Sequence, residues 1–276
     1  MMSSRCPSGI WHILALATLL SVLVSGLGQP ALAQSPAGVS LTAQAGLDGI
    51  CKNGQWIPIR VQVENQGSDL EGRLEARLAV APDRQTIYAQ AIHLPNPSRK
   101  EISLPVYPEG FLSTIEVVLV AGGKVVAQTT LNINCLSTTD AVYGVLAASP
   151  SAFGRLAGPG RPGGRATIAQ LTLADLPEQP QVLGMLDVLL ISDTDTGALT
   201  PGQHQALAAW VNAGGKLVVT GGPEWQKTAA GLVDLLPLSP AGLQTLISLD
   251  SLSAYAGKPA SLPGPAPAAQ GALSPG

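Results

Sequence analysis

The sequence has few aromatic and few charged residues. Aromatic side chains make up 4% of the 276 residues and charged ones 12%, whereas hydrophobic residues reach 46%. Such a composition argues against global disorder and predicts cores built from Val, Leu, Ile and Ala. The formal net charge is −3 and the sequence contains no basic run, so nothing in it indicates nucleic acid as a partner.

Cysteine is also scarce, with three residues, Cys6, Cys51 and Cys135. In an oxidising compartment the pair Cys51 and Cys135 predicts a disulfide, and two buried thiols are the alternative. A bridge closing so long a loop contributes roughly 4 kcal/mol in the chain-entropy model. No cysteine follows Cys135, so a thiol nucleophile is excluded from the second half of the sequence.

Long apolar runs are absent after the N-terminus. Arg5, the apolar run 13–24 and the small-x-small pattern of residues 31–33 predict a cleaved signal peptide over residues 1–33, with Gln34 as the new N-terminus. The alternative is a membrane anchor, but the run is shorter than the roughly 20 residues that a spanning helix needs. After cleavage 14 Lys and Arg face 18 Asp and Glu, a net charge of −4. We therefore expect a bacterial protein exported to the cell envelope or the medium.

Apolar and polar residues alternate between residues 39 and 134. Ile57, Ile59 and Val61, for example, alternate with Pro58, Arg60 and Gln62, as in a half-buried strand. Turn residues separate seven candidate strands, and no helical period occurs, so residues 34–136 are predicted to form an antiparallel β-sandwich. The candidate strands are residues 39–45, 57–63, 74–78, 87–94, 102–106, 112–120 and 124–134.

The stretch GQWIPI at residues 54–59, followed by VQVENQG at residues 61–67, resembles the second strand of immunoglobulin-like domains in exported bacterial envelope proteins. The resemblance covers one strand and one turn, so it implies a fold and no activity. Trp56 is interpreted as a core residue and His93 as a surface residue.

The pattern changes after residue 137. Residues 141–148 form a continuous apolar run, typical of a parallel strand buried on both faces. Further strands are predicted at residues 167–173, 187–191 and 216–220, and a helix at 203–212 with Thr200 as its N-cap and Pro201 after it. Trp210 is interpreted as a core anchor on that helix. Residues 137–256 are therefore predicted to form a three-layer α/β domain with a parallel sheet.

A flavodoxin-like strand order would place the first strand beside the third, and their carboxyl ends would frame a crevice. The loops at that crevice are residues 149–151 and 193–196. The glycine-rich loop 156–165 is rejected as a nucleotide site, because Gly164 occupies the position of the required lysine. The candidate ligand-binding residues are Ser149, Ser151, Asp193, Thr194, Asp195 and Thr196.

The segments DVLLISD (187–193), QHQALAAWVNAGG (203–215) and KLVVTGG (216–222) together resemble the class I glutamine amidotransferase-like fold. They are most similar to its branch in exported or membrane-anchored bacterial proteins of uncharacterised function. Residues 140–236 would correspond to about the first half of such a domain. Catalytic relatives carry a cysteine nucleophile with a later His and Glu. No position here matches that cysteine, and His204 lies on the predicted helix, so the resemblance implies the fold without the chemistry.

The motif Asp193-Thr194-Asp195-Thr196 offers an alternative, because it resembles the aspartate motif of haloacid-dehalogenase-like phosphohydrolases. Two carboxylates at this spacing can hold Mg²⁺ while one attacks phosphorus. Gly197 departs from that family's pattern, and a calcium loop fails because His204 replaces the bidentate Glu. The other interpretation is a solvated turn in which Asp193 and Asp195 cap the local backbone.

Residues 257–276 are rich in Pro, Ala and Gly and are predicted to be a linker or a truncated tail. We expect the parallel sheet to be incomplete and the sequence to be either the front part of a longer protein or a truncated open reading frame. The sequence thus favours an exported, non-catalytic binding or scaffold module without metal or cofactor. Its partner would be an envelope protein or a glycan, and membrane association would require a further C-terminal portion. The alternative is a hydrolase, either at Asp193 and Asp195 or completed beyond residue 276.

Overall fold

The first half of the chain forms two antiparallel sheets. The computed structural model describes residues 38–110, 112–159 and 163–273, so the predicted signal segment 1–33 lies outside the described residues. One sheet has the strand order β1-β2-β5 and the other β4-β3-β6-β7. The strands are β1 Val39–Ala45, β2 Ile57–Asn65, β3 Leu70–Ala81, β4 Arg84–Leu94, β5 Ser98–Val106, β6 Thr114–Ala121 and β7 Lys124–Asn132.

The two antiparallel sheets enclose one hydrophobic core. Ile57, Ile59 and Val61 of β2 are fully buried, and they belong to the same cluster as Leu74 and Leu78 of β3 in the other sheet. Arg60 and Gln62 of β2 alternate with these core residues and are partly exposed. The prediction of an antiparallel β region is confirmed, with most strands extending one to several residues beyond the alternating segments.

A five-stranded sheet follows, with the order β12-β11-β8-β10-β9. Its parallel strands are β8 Ala141–Ala147, β10 Arg165–Leu171, β11 Val188–Ser192 and β12 Leu217–Val219, and the short β9 Gly158–Pro159 pairs antiparallel with β10. The first parallel strand therefore lies between the second and the third. The prediction of a parallel sheet after an antiparallel β region is confirmed.

The connections of the parallel sheet consist largely of helices and loops. They contain 3-10 helices at Pro150–Leu156, Leu173–Asp175 and Thr196–Ala198, and the α-helices α1 Pro180–Leu183 and α2 Pro201–Asn212. At the start of α2, Thr200 Oγ1 accepts a hydrogen bond from the Gln203 N–H, and Gln203 Oε1 accepts one from the Thr200 N–H. This reciprocal pair and Pro201 confirm the predicted start of the helix. Trp210 is buried against Gly215, which confirms it as a core anchor.

The last part of the chain differs from the sequence prediction. After α3 Trp225–Ala229 and a 3-10 helix at Val233–Leu235, strands β13 Leu238–Leu246 and β14 Ala266–Leu273 form an antiparallel hairpin around α4 Asp250–Ala256. Composition predicted a linker over residues 257–276, yet β14 lies within it. The hairpin is held by backbone hydrogen bonds and leaves side chains such as Leu243 and Leu273 exposed, so it has no hydrophobic periodicity to detect.

Residues 46–52 form a loop, here called the junction loop, that extends from the antiparallel sheets and contacts the parallel-sheet half. Leu47 is buried in the core of the parallel-sheet half, together with Val142 and Leu183. Asp48 Oδ2 accepts a hydrogen bond of 2.9 Å from the Gln170 N–H on strand β10. The loop therefore completes a core and caps a strand that lie more than 90 residues away in sequence.

The junction loop also carries a buried ion pair. Lys52 Nζ lies 2.8 Å from Asp187 Oδ2, with both side chains largely buried. The same oxygen accepts a 2.9 Å hydrogen bond from the Val142 N–H at the start of β8. The ammonium group of Lys52 thus sets the position of the carboxylate at which two parallel strands begin.

The predicted disulfide is present. Cys51 and Cys135 are joined by an S–S bond of 2.07 Å, across 84 residues of sequence. Beside it the Leu136 N–H donates to the Cys51 carbonyl at 2.8 Å, and the Asn53 N–H donates to the Leu136 carbonyl at 3.0 Å. The bridge therefore fastens the junction loop to the chain segment that enters the parallel sheet.

We expect Lys52→Met to lower the free energy of unfolding by about 3 kcal/mol, because it removes one partner of a buried pair and leaves the other charge buried. The matched control is Arg99→Met, which breaks the exposed pair of Arg99 with Glu64 and should cost less than about 1 kcal/mol. Urea denaturation of both variants measures the difference. Equal losses would show that the Lys52 pair is not a stabilising contact.

Candidate functional site

The structure brings together the two loops that the sequence predicted to frame a crevice. Thr194 Oγ1 donates to the Ser192 carbonyl at 3.0 Å and lies 3.4 Å from the Leu146 carbonyl, at the end of β8. The Ala148 N–H donates to the Ser192 carbonyl at 3.4 Å. Ser149 and Ser151, beside this contact, are exposed at the start of the first 3-10 helix. The neighbouring positions of β8 and β11 thus place loops 149–151 and 193–196 at one edge.

Asp193 is the exposed charged residue at the centre of this edge. Its Oδ1 lies 2.7 Å from Lys227 Nζ, and Glu224 Oε2 lies 3.5 Å from the same nitrogen. The Asp193 carboxylate raises the pKa of the Lys227 ammonium above its ordinary value, because its hydrogen bond favours the charged form. Asp193 has a φ of +49°, a left-handed conformation that Asp tolerates better than most residues.

Asp195 and Thr196 serve the loop itself. Asp195 Oδ1 accepts a 3.1 Å hydrogen bond from the Gly197 N–H, so it caps the local backbone. Thr196 is fully buried, and its hydroxyl donates to the Thr228 carbonyl at 3.0 Å and accepts from the Gly231 N–H at 2.9 Å. These two residues hold the loop in place. The exposed residues of the predicted set are Ser149, Ser151, Asp193 and Asp195.

The sequence prediction missed a third loop at this edge, after strand β12. Thr220 Oγ1 donates to Ser192 Oγ at 2.9 Å, and Glu224 and Lys227 follow on the next turn. The signal for this loop was the glycine pair that ends the strand KLVVTGG, since the carboxyl ends of parallel strands share an edge. Within residues 38–110, 112–159 and 163–273, no group of three His, Cys, Asp or Glu is placed to hold a metal ion.

A cavity, here called the junction cleft, lies between the antiparallel sheets and the parallel-sheet half. Its volume is about 470 Å³, within the usual range for small-molecule sites. Strands β2, β4 and β5 form one wall, and residues 174–179 with the start of α2 form the other. Its charged lining residues are Arg60, Glu101, Asp175 and Glu178, and its amide residues are Gln90, Gln179 and Gln203. None of these was predicted, because the cleft exists only once the two halves meet.

An ion pair crosses the junction cleft. Arg60 Nη2 on β2 lies 2.7 Å from Asp175 Oδ1, and Arg60 Nε lies 3.3 Å from Glu101 Oε1. Burial by itself raises the pKa of Asp175, but hydrogen bonds from Thr172 and Arg60 outweigh it, and the net pKa lies below the ordinary value. Gln203 Nε2 donates to the Leu173 and Leu176 carbonyls at 2.7 and 3.0 Å, which fixes the opposite wall.

The architecture is that of a β-rich α/β protein in which antiparallel sheets precede a parallel sheet. Residues 38–134, which hold the two antiparallel sheets, match a family described as a domain of unknown function, DUF8726. No curated protein is significantly similar in sequence to the chain. In the residues that the structure describes, no helix is long and apolar enough to cross a membrane.

Several solved structures show weak likeness. An alkylpurine DNA glycosylase from Pseudomonas fluorescens, bound to DNA with an abasic site analog, is 9% identical with a TM-score of 0.28, over 36% of this chain and 31% of that one. A cycloisomaltooligosaccharide glucanotransferase from Paenibacillus sp., complexed with cycloisomaltoheptaose, is 13% identical with a TM-score of 0.29, over 66% and 28%. A CARDB domain from Pyrococcus furiosus, in complex with di-metal ions, is 15% identical with a TM-score of 0.24, over 35% and 90%.

The chain spans about a third or less of the lengths of the glycosylase and the glucanotransferase. All three TM-scores are too low to carry an argument about fold or function.

Asp193→Ala should lower the free energy of unfolding by about 1 kcal/mol more than Asp193→Gly, because glycine adopts a left-handed φ without a steric cost. Both variants remove the contact with Lys227, so the difference between their unfolding free energies reports the cost of the left-handed backbone conformation. The matched control is Gln205 on α2, where alanine should be the more stable of the two substitutions. Chemical denaturation measures the stability difference between the alanine and glycine variants at each position. If alanine were the more stable substitution at both positions, backbone strain at Asp193 would be refuted.

The Arg60–Asp175 contact should weaken in acid. Since the folded pKa of Asp175 lies below its ordinary value of 3.8, its stabilisation is complete above that pH and is lost as the pH falls through the folded pKa. Between about pH 4 and pH 2 the wild-type chain should therefore lose more stability than Asp175→Asn does. Urea midpoints measured across this range test the expectation, and parallel curves for the two proteins would refute it.

Proposed function

We propose that this chain is an exported bacterial cell-envelope protein that acts as a non-catalytic binding or scaffold module. In this proposal an immunoglobulin-like sandwich precedes a three-layer, degenerate class I glutamine amidotransferase-like domain. The partner is another envelope protein or a glycan, and no cofactor takes part. The exposed loops 149–151 and 193–196 belong to the binding surface.

The Cys51–Cys135 disulfide carries the proposal. Such bonds persist in oxidising compartments, among them the bacterial periplasm and the cell surface. The bond also uses both cysteines that follow the predicted signal segment, and no cysteine occurs after Cys135. The thiol nucleophile of catalytic amidotransferase relatives therefore has no counterpart in residues 137–276. The bond thus supports export, and the absence of a cysteine from residues 137–276 supports the loss of that chemistry.

The topology supports the amidotransferase-like part of the proposal. A first strand flanked by the second and third is the neighbour relation of the flavodoxin-like arrangement. Val142 and Val145, on opposite faces of β8, are both fully buried, which favours a sheet covered on both sides.

The contacts made by the two carboxylates of loop 193–196 support a binding role over a catalytic one. The cation beside Asp193 is the Lys227 ammonium, and Asp195 is engaged with the Gly197 N–H. Two carboxylates used in this way stabilise the loop and leave Asp193 and Lys227 as a surface pair for a partner.

The proposal predicts that the full-length chain, expressed in a Gram-negative host, is recovered from the periplasm. Mass spectrometry should then find Gln34 as the N-terminus and a mass lower by two hydrogens than that of the reduced chain. Leu16→Arg, which interrupts the apolar run, is the matched control and should retain the protein in the cytoplasm. A cytoplasmic wild-type chain that keeps Met1 and has three free thiols, those of Cys6, Cys51 and Cys135, would refute export.

The same purified protein should show no glutamine hydrolysis and no phosphatase turnover with Mg²⁺. A Mg²⁺-dependent phosphatase activity that Asp193→Asn abolishes would refute the non-catalytic role and establish the hydrolase alternative.

A further inference from the structure

Strand β12 forms one edge of the parallel sheet. It pairs with β11 on one side and stands at the end of the strand order. The Lys216 carbonyl and the Thr220 N–H both form hydrogen bonds with β11, so the even-numbered residues direct their main-chain groups to that strand. Because these groups alternate along a strand, those of Leu217 and Val219 point to the opposite, outer side. That outer side is the open edge of β12.

Strand β14 contacts the open edge at a single point. The Ala269 N–H donates to the carbonyl of Gly221, which follows β12 and points to the same side as Val219. Pro267 precedes Ala269 by two residues and has no N–H group to donate at the next equivalent position. In the part of the chain that the structure describes, β14 pairs with β13 and forms no ladder with β12. The edge thus accepts a strand at its end and is left open along Leu217 and Val219.

An apolar cavity of about 660 Å³ lies between the open edge and the hairpin of β13 and β14. Its size is usual for a ligand site, and none of its described lining residues is charged. The Thr220 hydroxyl in its wall already donates to Ser192. The apolar side chains around it include those of Leu217, Val218, Trp225, Leu236, Leu238 and Ala268. The lining therefore favours an uncharged ligand that forms its hydrogen bonds with the main chain of the edge.

We propose that the open edge of β12 binds an extended, uncharged segment of a partner polypeptide, which joins the parallel sheet as a further strand. The main-chain groups of Leu217 and Val219 supply the hydrogen bonds, and alternate side chains of the segment enter the apolar cavity. Unpaired edges are templates for this kind of addition. A glycan has no alternating N–H and C=O groups with which to extend the ladder. The assignment rests on the binding role proposed above and deepens it by naming a polypeptide as the partner.

Isothermal titration calorimetry of the purified chain tests this assignment. The probe is a terminally blocked peptide of about seven alternating Thr and Val residues, long enough to span the edge. Two further peptides carry N-methyl groups at the even-numbered or at the odd-numbered positions. Saturable binding of the unmodified peptide is expected, and only one of the two methylated peptides should bind at least about tenfold more weakly, since alternate N–H groups of a strand face opposite sides. Absence of saturable binding, or equal effects of the two methylation patterns, would overturn the proposal.

Three variants make the test specific to the edge. Val219→Pro removes an outward N–H while sparing the ladder with β11, and it should weaken binding by at least about tenfold. Val218→Ser removes an apolar contact from the cavity and should weaken binding by about fivefold, so it tests the same site if the proline variant does not fold. The matched control is Val125→Ser on the edge strand β7, because Val125 and Val218 are both 44% exposed.

The control variant should leave the affinity within about twofold. If Val125→Ser weakened binding as much as Val218→Ser, unspecific apolar attraction would explain the result and the edge of β12 would not be the site.

A second copy of the chain is the other occupant that an open edge accepts. Sedimentation velocity of the wild-type chain without peptide should find a monomer. A dimer that Val219→Pro dissociates would overturn the proposal in favour of pairing between two copies.

The two proposals fail separately. A chain that is exported and inert but binds no peptide refutes the assignment of the edge alone, whereas a cytoplasmic or catalytically active chain refutes the proposed function.

Discussion

The buried contact between Lys52 and Asp187 is the constraint on which the arrangement of the two halves depends. One carboxylate accepts hydrogen bonds from the lysine ammonium and from the Val142 N–H near the start of strand β8, so a residue of the junction loop helps to set the position of the parallel sheet. A charge taken out of water needs such a partner, and the loop can supply it only when Leu47 is seated in the neighbouring core. The adjacent disulfide keeps the loop from withdrawing. The antiparallel and parallel sheets are therefore coupled by packing, charge and a covalent bond within seven residues.

This coupling explains why the molecule has two different polar regions. The edge at the carboxyl ends of the parallel strands is a consequence of strand order, and its acidic residues are largely engaged in holding loops together. The junction cleft is a consequence of docking, and its carboxylates face one another across two structural units with a single guanidinium between them. The first region can exist in the parallel-sheet half alone, whereas the second requires both halves. A ligand of the cleft would therefore bind only the assembled form and would stabilise it.

The sequence was informative wherever structure is dictated by neighbours along the chain. Alternation located β2, and the Thr200-Pro201 pair located the start of α2, because both signals depend on residues a few positions apart. The cysteine pair was predictable because the sequence predicts export, and two cysteines in an oxidising compartment are first interpreted as a disulfide. The junction loop gave no such signal: Leu47 looks like an ordinary turn residue until a core more than 90 residues away closes over it. The hairpin of β13 and β14 was missed because its pairing is made by backbone groups, which every sequence carries.

The candidate loop residues were brought to one edge as expected, but the roles of Thr196 and Lys227 depended on contacts that no local pattern encodes.

Leu47 also imposes an order on folding. It emerges early in synthesis, whereas its packing partners Leu183 and Leu207 are made more than 130 residues later. The core that buries Leu47 is complete only when these residues have been made, whereas both cysteines of the neighbouring disulfide are present once residue 135 has been added. The junction loop is therefore made before the parallel sheet whose core it completes.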